Sequence, residues 1–168
     1  MFNGIMIFLA QDFYLLLLGL AVLLLLTRYR ARRREWAGAA VVIGGLAFAL
    51  AQVATRLIAD PRPFLLGGGP PLIASATDNG FPSDHTLLVA TVAATVTVVD
   101  PVAGVVFWGL AVLVGLARVY ARVHHLLDVA GSLGIVALAL ALYWGVARIR
   151  RRAAGAGPTP ATDRESHG

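Results

Sequence analysis

Long runs of apolar residues, broken at intervals by clusters of arginine, constrain this chain more than any other feature. Runs of about 20 such residues suit the hydrocarbon core of a bilayer, and a helix is the form that leaves no backbone N–H or C=O unpaired there. Composition agrees: 58% of the 168 residues are hydrophobic, 14% are charged, and the mean hydropathy is +0.78. A soluble globule carries about 25% charged residues and a disordered chain has few apolar ones, so both classes are excluded. Cysteine is absent, which removes disulfides, thiolate metal sites and a cysteine nucleophile. All 14 basic residues are arginine, against 9 acidic ones. Because they punctuate apolar runs, this balance argues for a membrane and its lipids as partners, and against nucleic acid.

An all-α integral membrane protein with five spans is expected. The spans are centred on Phe13 to Leu26, Trp36 to Ile58, Thr86 to Val99, Val102 to Ala117 and Leu126 to Ala147. Residues 1 to 10 lack the charged start and the cleavage boundary of a signal peptide, so they lie along the interface or extend the first helix. Asp100-Pro101 reads as a tight turn joining an antiparallel pair. Arg28, Arg30, Arg32, Arg33 and Arg34 follow the first span, and Arg148, Arg150, Arg151 and Arg152 follow the fifth. With five spans both clusters fall on one side, which the excess of basic residues in cytoplasmic loops makes the cytoplasm. The N-terminus is then outside and the C-terminus inside. Residues 1–152 form the membrane domain, and the small, polar segment 153–168 is expected to be a disordered cytoplasmic tail.

Segments 56–84 and 118–125 then face outward, and with the helix ends beside them they hold most of the unusual chemistry, in three clusters. In the first, Pro61 and Pro63 hold Arg62 on a stiff, extended strut, although an arginine snorkelling from a helix end would look similar. In the second, Pro82-Ser83-Asp84-His85 precedes a span and has the form of a helix start. Ser83 fits a plain cap as well as a phosphate ligand, and free N–H groups at such a start suit an anion. In the third, His124 and Asp128 are four residues apart, so the carboxylate can orient the imidazole as a nucleophile or base. A pair of metal ligands or a simple polar contact would have the same spacing, and His125 is also within reach of Asp128.

Taken together and in order, the clusters resemble the type 2 phosphatidic acid phosphatase superfamily, whose pattern is Lys-x6-Arg-Pro, Pro-Ser-Gly-His and Ser-Arg-x5-His-x3-Asp. The matching residues are Arg62-Pro63, Pro82-Ser83-Asp84-His85, and Ala117-Arg118 followed by His124 and Asp128. Asp84 in place of glycine, within Phe81-Pro82-Ser83-Asp84-His85-Thr86, is similar to the small bacterial undecaprenyl diphosphate phosphatases of the bacitracin-resistance type. The resemblance implies a cofactor-free and metal-free enzyme of the bacterial cytoplasmic membrane, with its site on the outer face. Its substrate would be a polyprenyl diphosphate. His124 would be the nucleophile, oriented by Asp128, and His85 the proton donor; Arg62, Arg118, Ser83 and the helix start would bind phosphate. His124 is chosen over His125 because it alone fits both the Arg118 and the Asp128 spacings.

Two departures carry expectations of their own. Thr55 stands at the lysine position of the first motif, so Arg56, one residue on, is expected to supply the missing cation. Asp84 would repel phosphate unless paired, and Arg56 or Arg122 is expected to pair with it. The outward clusters suggest no compact carboxylate set suited to magnesium. A phosphatidic acid or phosphatidylglycerol phosphate phosphatase, and a catalytically silent lipid-binding or transport protein, are the alternatives. Oligomeric state has no signature in the sequence.

Overall fold

A computed structural model describes residues 1–155. It contains the helices α1 (Phe2–Gln11), α2 (Phe13–Leu26), α3 (Arg33–Leu57), α4 (Asp84–Val99), α5 (Pro101–Tyr120) and α6 (Leu126–Gly155). Extended pairing among the described residues is limited to an isolated bridge between Pro61 and Asn79. Three helices are long and apolar enough to cross a bilayer, and α1 with α2 makes a fourth candidate if that bent pair counts as one span. The pair is bent by 56°, so residues 1–10 form a separate helix, which packs against α5. Helix α6 runs through Ala153 to Gly155, beyond the expected end of the membrane domain; the rest of the expected tail lies outside the described residues.

Helix α4 occupies the centre, packed by α2, α3, α5 and α6. Its 16 residues rise only about 24 Å, less than the roughly 30 Å core. The N-terminus of α4 is consequently sunk into the bundle: Phe81, Pro82 and Ser83, which lead into it, are all buried. At its other end the chain turns sharply, because the Asp100 side chain accepts from Ala103 N at 3.0 Å and Pro101 opens the next helix.

Packing follows residue size more than polarity. Ala90, Ala93, Ala94, Ala111 and Ala117 are fully buried, whereas Val41, Phe48, Val102, Val105 and Ile149 are exposed. Small residues let helix backbones approach closely, and lipid solvates the large ones at no cost. The closest approach is in the α4–α5 hairpin, where a Cβ on Gly104 would lie 2.7 Å from Thr97 Cα.

Arg28 and Arg32 have structural partners at this end of the bundle. The Tyr29 hydroxyl donates to Asp100 at 2.8 Å and Arg28 reaches the same carboxylate. Arg32 forks onto Glu35 at 2.7 and 2.8 Å and donates to the carbonyls of Val98 and Val99. It thereby satisfies acceptors at the C-terminus of α4.

Because backbone opposes the Gly104 position, Gly104→Ala is expected to destabilise the protein by about 1 to 3 kcal/mol, read as a lower Tm in detergent. Gly109→Ala meets nothing within 4 Å and is expected to leave the Tm unchanged or raise it.

Candidate active site

The end of the bundle opposite the arginine clusters is organised by the segment between α3 and α4. Asn79 clamps it: its Oδ1 accepts from Asp60 N at 2.8 Å, and its Nδ2 donates to the carbonyls of Thr55, Ile58 and Phe81 at 3.1, 2.8 and 3.2 Å. Thr55 Oγ1 adds a bond to Phe81 O at 3.1 Å, and Gly80 N donates to Asp60 O at 2.8 Å. Glycine is needed at 80, because a Cβ there would lie 2.9 Å from that carbonyl. Stiffened by its prolines, the strut sends Arg62 inward. Arg62 is 5% exposed and donates to Asp78 Oδ1 through Nε and NH2 at 3.1 and 2.7 Å. Its NH1 donates to Val123 O at 3.1 Å and lies 3.3 Å from His124 Nε2.

His124 stands just past the end of α5, in a turn made by Arg122 at a φ of +64°. Its Nδ1 is 2.9 Å from Gly80 O and 3.2 Å from Asp128 Oδ2. Both neighbours only accept, so Nδ1 carries the proton and Nε2 keeps its lone pair. Two guanidinium groups meet at that lone pair. Arg118 NH2 lies 3.4 Å from Nε2, and its NH1 donates to Ala10 O at 3.2 Å. Arg118 is 7% exposed, has no ion-pair partner among the described residues, and its Nε has no hydrogen-bond partner.

The sunken start of α4 forms the third wall. Ser83 occupies the cap position, but its side chain does not cap: its Oγ accepts from Thr86 Oγ1 at 3.0 Å, while Ser83 O accepts from Leu87 N at 2.8 Å. Ser132 Oγ also donates to Ser83 O, at 3.0 Å, and so binds α6 to this corner. The first N–H groups of α4 point past Ser83 without intrahelical acceptors. The half-exposed His85 ring packs edge-on against Tyr14, with centroids 4.7 Å apart. Arg118, His124 and Arg62 are close enough for their charges to act on it.

The structure therefore brings Arg62, Ser83, His85, Arg118, His124 and Asp128 together. It corrects two expectations. Arg56 is exposed on the last turn of α3 and makes no hydrogen bond or ion pair among the described residues; the neighbouring Thr55, also exposed, donates its hydroxyl to Phe81 O. Asp84 pairs with neither Arg56 nor Arg122: it is exposed in the first turn of α4, where a carboxylate suits the helix dipole, and Arg122 donates to Pro70 O at 3.3 Å. Asp60, His125 and Asp128 also converge, placing one ligand atom each within 4.8 Å of one another. Burial first, then the adjacent Asp128 carboxylate, raises the Asp60 carboxyl above its ordinary pKa range, against the influence of His125. Tyr14, Ala10 and Asn79 belong to no motif in the sequence, and each reaches the site only through tertiary contacts.

Residues 36–151 match the model of the PAP2 superfamily. The chain is 34% identical over 151 residues to the bacitracin transport permease protein BcrC of Bacillus licheniformis, covering 86% of this chain and 71% of that protein. Among solved structures it is similar to LpxE of Aquifex aeolicus, with a TM-score of 0.64 and 22% identity over 84% of this chain and 82% of the other. A second neighbour is a transmembrane PAP2-type phosphatidylglycerolphosphate phosphatase from Bacillus subtilis, with a TM-score of 0.58 and 24% identity over 88% and 77%. The family match extends over more than half of the chain and includes all the clustered residues around His124, so a helical membrane scaffold and its motif order lead to one conclusion: the chain belongs to the PAP2 superfamily of membrane phosphatases.

Proposed function

We propose that the protein hydrolyses a polyprenyl diphosphate of the undecaprenyl type to the monophosphate, at the outer face of a bacterial cytoplasmic membrane. The observation that carries the reading is Arg118: a buried cation without an anionic partner, aimed at the lone pair of His124. An uncompensated buried charge is costly, and a phosphoryl group at Nε2 would compensate it. The substrate class rests on the motif resemblance and on the likeness to BcrC, whose name concerns bacitracin. The orientation rests on the arginine clusters, which lie at the end of the bundle away from the site; it needs five passes, with the bent α1–α2 pair counted as one and the short α4 completed by the segment that leads into it.

In this reading His124 Nε2 attacks the terminal phosphorus in line, and the bridging P–O bond breaks as the N–P bond forms. The leaving prenyl monophosphate oxygen takes its proton from His85. His85 then removes a proton from water, whose oxygen attacks the phosphorus, breaks the N–P bond and releases inorganic phosphate. Arg62, Arg118, the Ser83 hydroxyl and the first N–H groups of α4 hold the equatorial oxygens. Asp128 and the Gly80 carbonyl hold Nδ1–H and stabilise the positive ring that forms. Arg56 is left out of the phosphate ligands, and Asp84 is assigned to the helix start.

A phosphate-release assay in detergent is expected to favour prenyl diphosphate over phosphatidic acid and phosphatidylglycerol phosphate, and to persist in EDTA. Absence of release from every lipid would instead favour the silent binding or transport protein.

His124→Ala is expected to lower kcat by at least about 10³-fold, and an alkaline denaturing quench of the wild type should trap an acid-labile phosphohistidine that this variant lacks. An unchanged rate with a normal melting curve would refute the nucleophile.

Arg56→Ala is expected to retain kcat/KM within about threefold of wild type, whereas Arg118→Ala loses a charge-assisted contact worth about 1.5 to 3 kcal/mol, roughly tenfold to a few hundredfold. Comparable losses in the two variants would return Arg56 to the site.

A further inference from the structure

Asp60, His125 and Asp128 have no part in phosphate binding as a group, yet they converge beside the nucleophile. Asp128 is fully buried and uses only one of its oxygens: Oδ2 faces His124 Nδ1 and accepts from His125 N at 2.8 Å, while Oδ1 has no hydrogen-bond partner. His125 Nδ1 lies 3.0 Å from Asp60 Oδ1, an ion pair whenever the ring is protonated, but the contact lacks hydrogen-bond geometry. Two atoms that close, without hydrogen-bond geometry, have the spacing of neighbouring ligands on one ion with bonds of about 2.0 to 2.1 Å. The backbone of Asp60 is held from both sides, by Asn79 Oδ1 at its N–H and by Gly80 N at its carbonyl. Its carboxylate is therefore presented to the group by the loop itself.

We infer that Asp60, His125 and Asp128 form an inhibitory binding site for a divalent transition cation of the zinc type. One imidazole and two carboxylates make a three-ligand set that suits zinc and leaves a fourth position for water. The 4.8 Å spread is wider than the roughly 3.3 Å between ligands on one zinc ion, so binding draws the two partly exposed side chains onto the fixed Asp128. The site is accessible, since the side chains of His125 and Asp60 are 36% and 18% exposed. A cation on Oδ1 withdraws charge from the same carboxylate that faces His124 through Oδ2. Asp128 then stabilises the positive ring less well as Nε2 bonds phosphorus, and turnover falls. This inhibitory sense rests on the proposed role of His124; the binding itself does not.

The test is zinc titration of the full-length protein in detergent, followed by calorimetry and by the melting temperature. One zinc ion per chain is expected to bind and raise the Tm, magnesium is not, and Asp60→Asn and His125→Gln are each expected to weaken zinc binding by about tenfold or more. Both variants keep the backbone groups that their residues use. In zinc-free buffer they are expected to turn over prenyl diphosphate at the wild-type rate, and to resist zinc concentrations that inhibit the wild type and that EDTA reverses. Absence of saturable binding, or binding equal in wild type and both variants, overturns the site. Binding that leaves wild-type turnover unchanged overturns its inhibitory role. A wild type that releases no phosphate at all sinks the phosphatase reading, and the calorimetry then decides the cation site alone.

Discussion

The proton on His124 Nδ1, placed between Gly80 O and Asp128 Oδ2, is the point on which the site depends. It joins the loop before α4, the turn after α5 and the first turn of α6. Fixing it at Nδ1 frees the lone pair of Nε2 in a buried place, where it faces two guanidinium groups and not water. A shift in any of the three segments would remove an acceptor or misdirect the ring. This accounts for the density of hydrogen bonds around Asn79, whose amide ties together residues that carry no chemistry of their own.

The recess that holds this imidazole comes from the shortness of α4. A central helix of 16 residues cannot reach both faces of a bilayer, so its N-terminus opens inside the bundle. Close packing of small residues holds it there: Gly115 faces Val129 and Thr86, and Gly131 faces the Phe81 ring, each too closely for a Cβ without movement. The geometry of the site is therefore set by helix packing as much as by its polar contacts.

The two ends of the bundle use arginine in opposite ways. At one end Arg28 and Arg32 are substantially exposed and tie loops to the turn after α4. At the other, Arg62 and Arg118 are buried; the first is offset by Asp78 and the second only by a carbonyl and an imidazole. Residues of one type thus serve as fasteners where water screens them, and converge beside an imidazole where it does not.

From the sequence alone, hydropathy located α2 to α5 to within about three residues at each end, because the cost of unpaired backbone in lipid leaves few alternatives, whereas α6 runs past its expected end at Ala147. The spacing of Arg118, His124 and Asp128 did not by itself choose between His124 and His125; set against the family pattern it picked out three side chains that the structure brings together. The bend at Asp12, the exposure of Arg56, the clamp at Asn79 and the meeting of Asp60 with Asp128 were decided by tertiary structure. Each depends on where a non-helical segment lands against helices remote in the chain, and local spacing carries no information about that. Arg56 shows the difference: the side chain expected to reach phosphate is exposed at the end of α3, and the Thr55 hydroxyl beside it is used to hold Phe81 O.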